Sequence, residues 1–208
     1  MRTFPISQAL LDRVDAAEPG AVFFPADFLD LGSPEAIHTT FSRLASTDEL
    51  TRLAKGIYLK PKMDPELGKL KPSLEDLAQK IAERDRVIIR PTGAYALNKL
   101  GLSTQVPTKV VFLTNGNAKR ISVGNRHIVF KKVSPKQMAV KSETVFLAIQ
   151  ALIELKDRAN RQTVFDQLTA ILSREPLEDI LEGARLAPQQ VSRILYLIAE
   201  KLKAGKHG

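Results

Sequence analysis

The sequence predicts an α+β fold, on three observations. Apolar residues recur at helical spacing over 34–46 and again through most of the chain after Ser142. Apolar and polar residues alternate over 50–59, and β-prone runs fill much of 109–133. The pairs Lys55-Gly56, Asn115-Gly116 and Gly124-Asn125 interrupt those runs where hairpins need a turn. The order is a helix-and-hairpin unit, then a small mixed α/β segment, then a C-terminal helical bundle.

Each element has a local cause. "ISQALLDRVDAAE" reads as a helix capped by Ser7, with Ala9, Leu10, Val14 and Ala17 on one stripe. "PGAVFFP" is a short β-like run, and "ADFLDL" a short helix stopped by Gly32. In "SPEAIHTTFSRLAS", Ser33 suits the N-cap and Pro34 the first helical position. Ile37, Phe41 and Leu44 share its apolar face, leaving Glu35, His38, Thr39, Ser42 and Arg43 on the other. "RLAKGIYLKP" then reads as a hairpin turning at Lys55-Gly56 and closed by Pro61. "KPKMDPELGKLKP" has the composition of a connector. Beyond it, "SLEDLAQKIAER" is a helix with Ser73 and Asp76 in a capping-box pattern. "RVIIRP" is a strand, "TGAYALNKLGL" a helix with Thr92 as candidate cap and Gly101 as stop, and two further strand runs follow. Four helical stripes complete the chain, centred on Val145/Ile149/Leu152, Val164/Leu168/Ile171, Leu177/Ile180/Leu181 and Val191/Ile194/Leu195/Ile198.

Helix, short strand, helix, turn, helix and hairpin is the order of a winged helix-turn-helix. A domain boundary near residue 65 is expected, with this module at 1–62 and an α/β plus helical domain at 70–208. A helix of this kind fits the major groove, where its polar face meets base edges, while a hairpin beside it reaches phosphates. The expected duplex-DNA contacts are His38, Thr39, Ser42 and Arg43 on the helix, and Arg52, Lys55, Tyr58 and Lys60 on the wing. Lys55 sits at the wing tip, Arg52 and Lys60 on its flanks, and Tyr58 offers a phenolic hydrogen bond.

Charge supports a polyanionic partner. The 208 residues carry a formal net charge of +8. From Asp85 to Glu143 no acidic residue intervenes, while eleven Lys or Arg do. Of these, Arg86, Arg90, Lys119, Arg120, Arg126, Lys131 and Lys132 are candidates for one basic face. There is no cysteine, which excludes disulfides and thiolate metal sites. Asp12 and Asp15 interrupt the only apolar stretch near the N-terminus, and no apolar run spans a bilayer. A soluble, cytoplasmic protein without a membrane partner is the expectation.

Catalytic chemistry finds little footing, and no enzyme is expected. Gly32-Ser33 lacks the spaced downstream aspartates that a nucleotidyltransferase needs for its metals, since only Asp48 and Glu49 follow. His38, His127 and His207 are far apart, so no metal or other cofactor is assigned. "TNGNAKRISVGN" lacks the Lys-Ser/Thr ending of a phosphate-binding loop. "PLEDILEGARLAPQQVSRILYLIAEKL" reads as an antiparallel helical pair, or as a second helix-turn-helix exposing Gln189, Gln190 and Arg193.

The block "ADFLDLGSPEAIHTTFSRLASTDELTRLAKGIYLKP" resembles the N-terminal winged helix of AbiEi-type antitoxins, from bacterial abortive-infection toxin–antitoxin systems. "RPTGAYALNKLGLSTQVPTKVVFLTNG" resembles the continuation in relatives of that family, so the likeness covers roughly 20–135. It implies a regulator that binds its own promoter and represses its operon. It also implies a cognate toxin of the nucleotidyltransferase type, countered directly or indirectly. The resemblance implies Arg43, Arg52, Lys55 and Tyr58 as DNA contacts. The alternative is a winged-helix regulator, or an RNA- or protein-docking module, without an antitoxin role. Exposed stacking aromatics for single-stranded RNA are scarce, with nine Phe, three Tyr and no Trp.

Overall fold

The computed structural model describes residues 6–105, 107–156, 159 and 161–205. The chain forms two compact units, Met1–Ile81 with Ile121–Arg126, and Ala82–Arg120 with His127–Gly208. The α+β class holds in both. Among the described residues no helix is long and apolar enough to cross a membrane.

The first unit begins with helix α1 (Ile6–Asp15), strand β1 (Val22–Phe23) and a single 3-10 turn at Pro25–Phe28. Helix α2 (Pro34–Ser46) follows, then strands β2 (Thr51–Ala54) and β3 (Ile57–Leu59). Ser33 caps α2 by accepting from the Ala36 N–H at 3.3 Å, and Pro34 occupies its first turn. The three strands form an antiparallel sheet in the order β1-β3-β2, with Val22 opposite Leu59 and Thr51 opposite the same residue on the other side. Gly56 takes φ +70 at the β2–β3 turn, a conformation that glycine adopts without penalty. Leu10, Val14, Ile37, Phe41, Leu44 and Leu50 meet Phe23, Phe28 and Tyr58 in one core.

Three expectations for this unit are corrected here. Ser7 lies inside α1, which already includes Ile6, so it is not the cap. The segment expected as a connector is a second hairpin, β4 (Lys62–Asp64) and β5 (Gly68–Leu70), with Asp64 opposite Gly68. Its turn is built by the Asp64 carboxylate, whose Oδ1 accepts from the N–H groups of Glu66 and Leu67 at 2.9 Å each. Gly68 supplies φ +72. Polar turn chemistry resembles linker composition, which is why sequence pattern alone misread it. The first unit accordingly runs to Ile81 rather than closing near residue 65, and helix α3 (Leu74–Asp85) carries the chain onward. Ser73 caps α3, accepting from the Asp76 N–H at 3.0 Å and donating to its carboxylate at 2.7 Å.

The second unit holds β6 (Ile89–Thr92), α4 (Ala94–Lys99), β7 (Lys109–Thr114) and most of the hairpin β8 (Lys119–Val123) and β9 (Arg126–Lys132). The sheet order is β6-β7-β9-β8. β6 runs antiparallel to β7, but β7 and β9 are parallel, Lys109 facing His127 and Thr114 facing Lys132. Thr92 is not the cap of α4. It ends β6, and its hydroxyl donates to Gln150, while Gly93 at φ +66 makes the turn into the helix. The helices α5 (Pro135–Met138), α6 (Glu143–Leu155), α7 (Gln162–Leu172), α8 (Leu177–Leu186) and α9 (Gln189–Ala204) follow. The expected stripes of the last four helices meet in one core with Val145, Ile149, Leu168, Ile180, Leu195 and Ile198 buried.

Gly183 shows how tightly α8 meets α6. A Cβ there would stand 2.4 Å from Val145 Cγ1, a stiff β-branched side chain. Overpacking costs about 1–3 kcal/mol, and alanine returns about 1 kcal/mol of helix propensity. Because the neighbour is a stiff branched side chain and not the far end of a flexible one, the upper half of that cost applies, and Gly183→Ala is expected to destabilise the chain by roughly 1–2 kcal/mol in urea unfolding. Unchanged or raised stability would refute the packing argument.

Candidate nucleic-acid interface

Helix α2 sorts its residues by face. Ile37 and Phe41 are fully buried, and this burial turns His38, Thr39, Ser42 and Arg43 to solvent. Among the described residues the Arg43 guanidinium and the His38 ring have no hydrogen-bond or ion-pair partner. Thr39 is less free: its hydroxyl donates to the Glu35 carbonyl at 2.8 Å and keeps only its acceptor lone pairs for a ligand. Beyond α2, Asp48 at φ +62 turns the chain, and its carboxylate accepts from Lys69 at 2.8 Å. That hydrogen bond holds Asp48 below the usual carboxylate range.

The β2–β3 hairpin places Lys55 at its tip, exposed, with Arg52 exposed on the flank. Neither has a partner among the described residues. Two other residues expected on a wing are assigned differently by the structure. Tyr58 is 3 % exposed, and its ring centroid lies 4.9 Å from that of Phe41. β3 is the central strand of its sheet and is covered on both faces, so its side chains do not alternate between core and solvent. Lys60 is half-buried, and its ammonium donates to the carbonyls of Val14, Asp15 and Ala17 at 2.9–3.1 Å. Val14 and Asp15 close α1 and Ala17 lies just past it, so the ammonium sits at the C-terminal end of the helix, where a cation is favoured by both hydrogen bonding and the helix dipole. The Tyr58 ring thus belongs to the core, and the three donors of the Lys60 ammonium are spent on carbonyls of the fold.

The acid-free interval does not make one face. Arg90 is 8 % exposed: it donates to the Val140 carbonyl and to Glu143 at 3.0 Å, and lies 3.7 Å over the Phe146 ring. Lys119 pairs with Asp85 and stands 5.0 Å from the centre of the Phe130 ring. Burial works against the Asp85 carboxylate, but hydrogen bonds from Lys119 and Arg84 hold it below the usual range. Arg86, Arg120, Lys131 and Lys132 are exposed in the second unit. Arg126 is exposed in the first unit, where it and Arg52 line one cleft of about 490 Å³. Lys71 shares that cleft and escaped the sequence reading, because the strand and turn signals around it are weak.

Among the described residues no group of His, Cys, Asp or Glu could hold a metal ion. His207 lies outside the described residues. On α9, Gln189, Gln190 and Arg193 are exposed, after the extended pair Ala187-Pro188.

These features define an α+β protein whose first unit carries an exposed polar helix face and an exposed cationic hairpin. The chain belongs to the family described as a family of unknown function (DUF6088), whose model matches residues 9–180. Among solved structures it is similar to the RV2827C protein from Mycobacterium tuberculosis, at 13% identity, covering 91% of this chain and 80% of that one, with a TM-score of 0.46. No curated protein matches it.

Lys60→Met keeps the aliphatic stem and removes three charged hydrogen bonds. It is expected to cost about 1–3 kcal/mol of stability. Its effect belongs in a thermal or urea melt, not in a nucleic-acid titration. A stable Lys60→Met that loses nucleic-acid affinity would return Lys60 to the interface.

Proposed function

We propose that this protein is a winged helix-turn-helix repressor of its own operon and the antitoxin half of a bacterial toxin–antitoxin pair, with a nucleotidyltransferase-type toxin as its counterpart. The observation that carries the DNA-binding part is that one unit holds both α2's exposed polar face and the unpartnered Lys55 and Arg52 of the β2–β3 hairpin. The element order supports it: helix, strand, short 3-10 turn, helix, hairpin, with a sheet order of β1-β3-β2. The 3-10 turn takes the place of the helix that precedes the reading helix. In this reading α2 enters the major groove, Arg43 meets a guanine edge or a phosphate, and Lys55 meets the backbone. The antitoxin part rests on the resemblance of residues 20–135 to the AbiEi-type family.

The protein is expected to bind a duplex from the region upstream of its gene, with affinity falling steeply as salt rises from about 50 to 200 mM. Fluorescence anisotropy reads this directly, and salt-independent or absent binding refutes it. Lys55→Ala should weaken binding about equally on operator and random duplex. Arg43→Ala should cost about 1–3 kcal/mol more on the operator. Equal losses on both DNAs would make Arg43 a backbone contact.

Co-expression tests the antitoxin part. Growth arrested by the neighbouring nucleotidyltransferase should resume when this chain is supplied from a promoter it does not regulate. Arg43→Ala should retain the rescue while losing repression of the native promoter. A full chain that fails to rescue leaves a DNA-binding regulator and removes the antitoxin role.

A further inference from the structure

We propose that the tip of the β8–β9 hairpin is a second phosphate-gripping arm of the first unit: Arg126, with Lys71 and Arg52, forms a cationic cleft that seats the backbone of the duplex met by α2. This inference rests on the duplex-DNA reading above and adds to it two residues, Lys71 and Arg126, that lie outside the helix and the wing.

Three separate segments converge on the cleft: strand β2 with Thr51–Leu53, the stretch Lys71–Leu74 after β5, and the turn Val123–Arg126. All of them belong to the first unit. Arg52, Lys71 and Arg126 are exposed, and among the described residues none has a carboxylate or any hydrogen-bond partner. Among the described residues no acidic one lines the cleft. Lys60 and Arg90, by contrast, are already satisfied by oxygens of the fold. Three like charges on one concave wall repel in the free protein, and the apolar walls of Leu53, Leu74 and Val123 strengthen their field. An anion relieves that repulsion.

Its chemistry favours a backbone over a small ligand. A small-molecule site fixes its ligand with convergent, well-placed polar groups. Here Thr51 and Asn125 are the only uncharged polar side chains, and the rest of the recognition falls to long cationic ones. Such groups neutralise phosphates and fix register without reading sequence. The cleft also continues the wing, because Arg52 stands on the strand that leads to Lys55. Gly124 allows the tip: it holds φ +57 in the two-residue turn, with open space around its α-carbon, so glycine serves the turn geometry there and not the packing.

The test is anisotropy with the full-length protein on operator and random duplex, for wild type, Lys71→Ala, Arg126→Ala and the double variant. Each loss is expected to be equal on both duplexes. The slope of log affinity against log salt should become shallower by about 0.9 per residue removed, about 1.8 for the double variant. Arg126→Lys should keep most of the slope. Because both side chains are exposed, the melting curves should match wild type, which separates a lost contact from a lost fold. A double variant with wild-type affinity and slope, while Lys55→Ala still weakens binding, overturns the cleft and leaves the DNA reading standing. Failure of wild type to bind any duplex overturns both. Loss confined to a single-stranded oligonucleotide of the same sequence overturns the duplex as occupant.

Discussion

The contact between the rings of Phe41 and Tyr58 governs the first unit. One ring comes from α2 and the other from the central strand of the β1-β3-β2 sheet, at 4.9 Å between centroids. Phe28 joins edge-on to Phe41 at 5.1 Å, and Phe23 to Phe28 at 5.9 Å. Edge-to-face and tilted pairs add about 0.5–1.5 kcal/mol each beyond burial. This chain of rings fixes the rotation of α2 about its own axis. Once Phe41 faces the sheet, helical periodicity sends positions 38, 39, 42 and 43 outward. The same contact spends Tyr58 on the core. The polar face of α2 is thus a consequence of aromatic packing behind it.

Arg90 plays a comparable part in the second unit. A buried guanidinium is costly unless its donors are satisfied. Here the carbonyl of Val140 and the Glu143 carboxylate take its donors, and the Phe146 ring covers its face. All three lie at or beside the start of α6, whose Ser142 cap accepts from the Val145 N–H at 3.1 Å. Strand β6 is in this way joined to the helical layer through a charge. Gln150 extends the join one turn further by accepting from Thr92.

Charge counting and charge placement part company in this chain. The interval from 86 to 142 is free of acid in sequence. In three dimensions its cations are divided among a buried structural arginine, an ion pair to Asp85, exposed positions in the second unit, and Arg126 in the first. The positive charge that gathers around a concavity joins Arg126 of that interval to Arg52 and Lys71 from outside it, positions with no shared sequence pattern.

The sequence by itself determined what depends on near neighbours. Periodicity and the Ser33-Pro34 pair placed α2 and its two faces, and Lys55-Gly56 placed the β2–β3 turn. The apolar stripes after Ser142 marked the helices that form the second core. All of these rest on spacings of one to four residues. Only the tertiary structure decided the partners of long side chains and the pairing of distant strands. Lys60 reaches back 46 residues to cap α1, β7 takes β9 as a parallel neighbour, and Arg126 comes to the same cleft as Arg52. A lysine beside a hairpin looks the same in sequence whether its ammonium meets water, a phosphate or a helix carbonyl. The choice is made by whichever oxygen the folded chain brings within hydrogen-bond reach, and that proximity is a property of the whole fold.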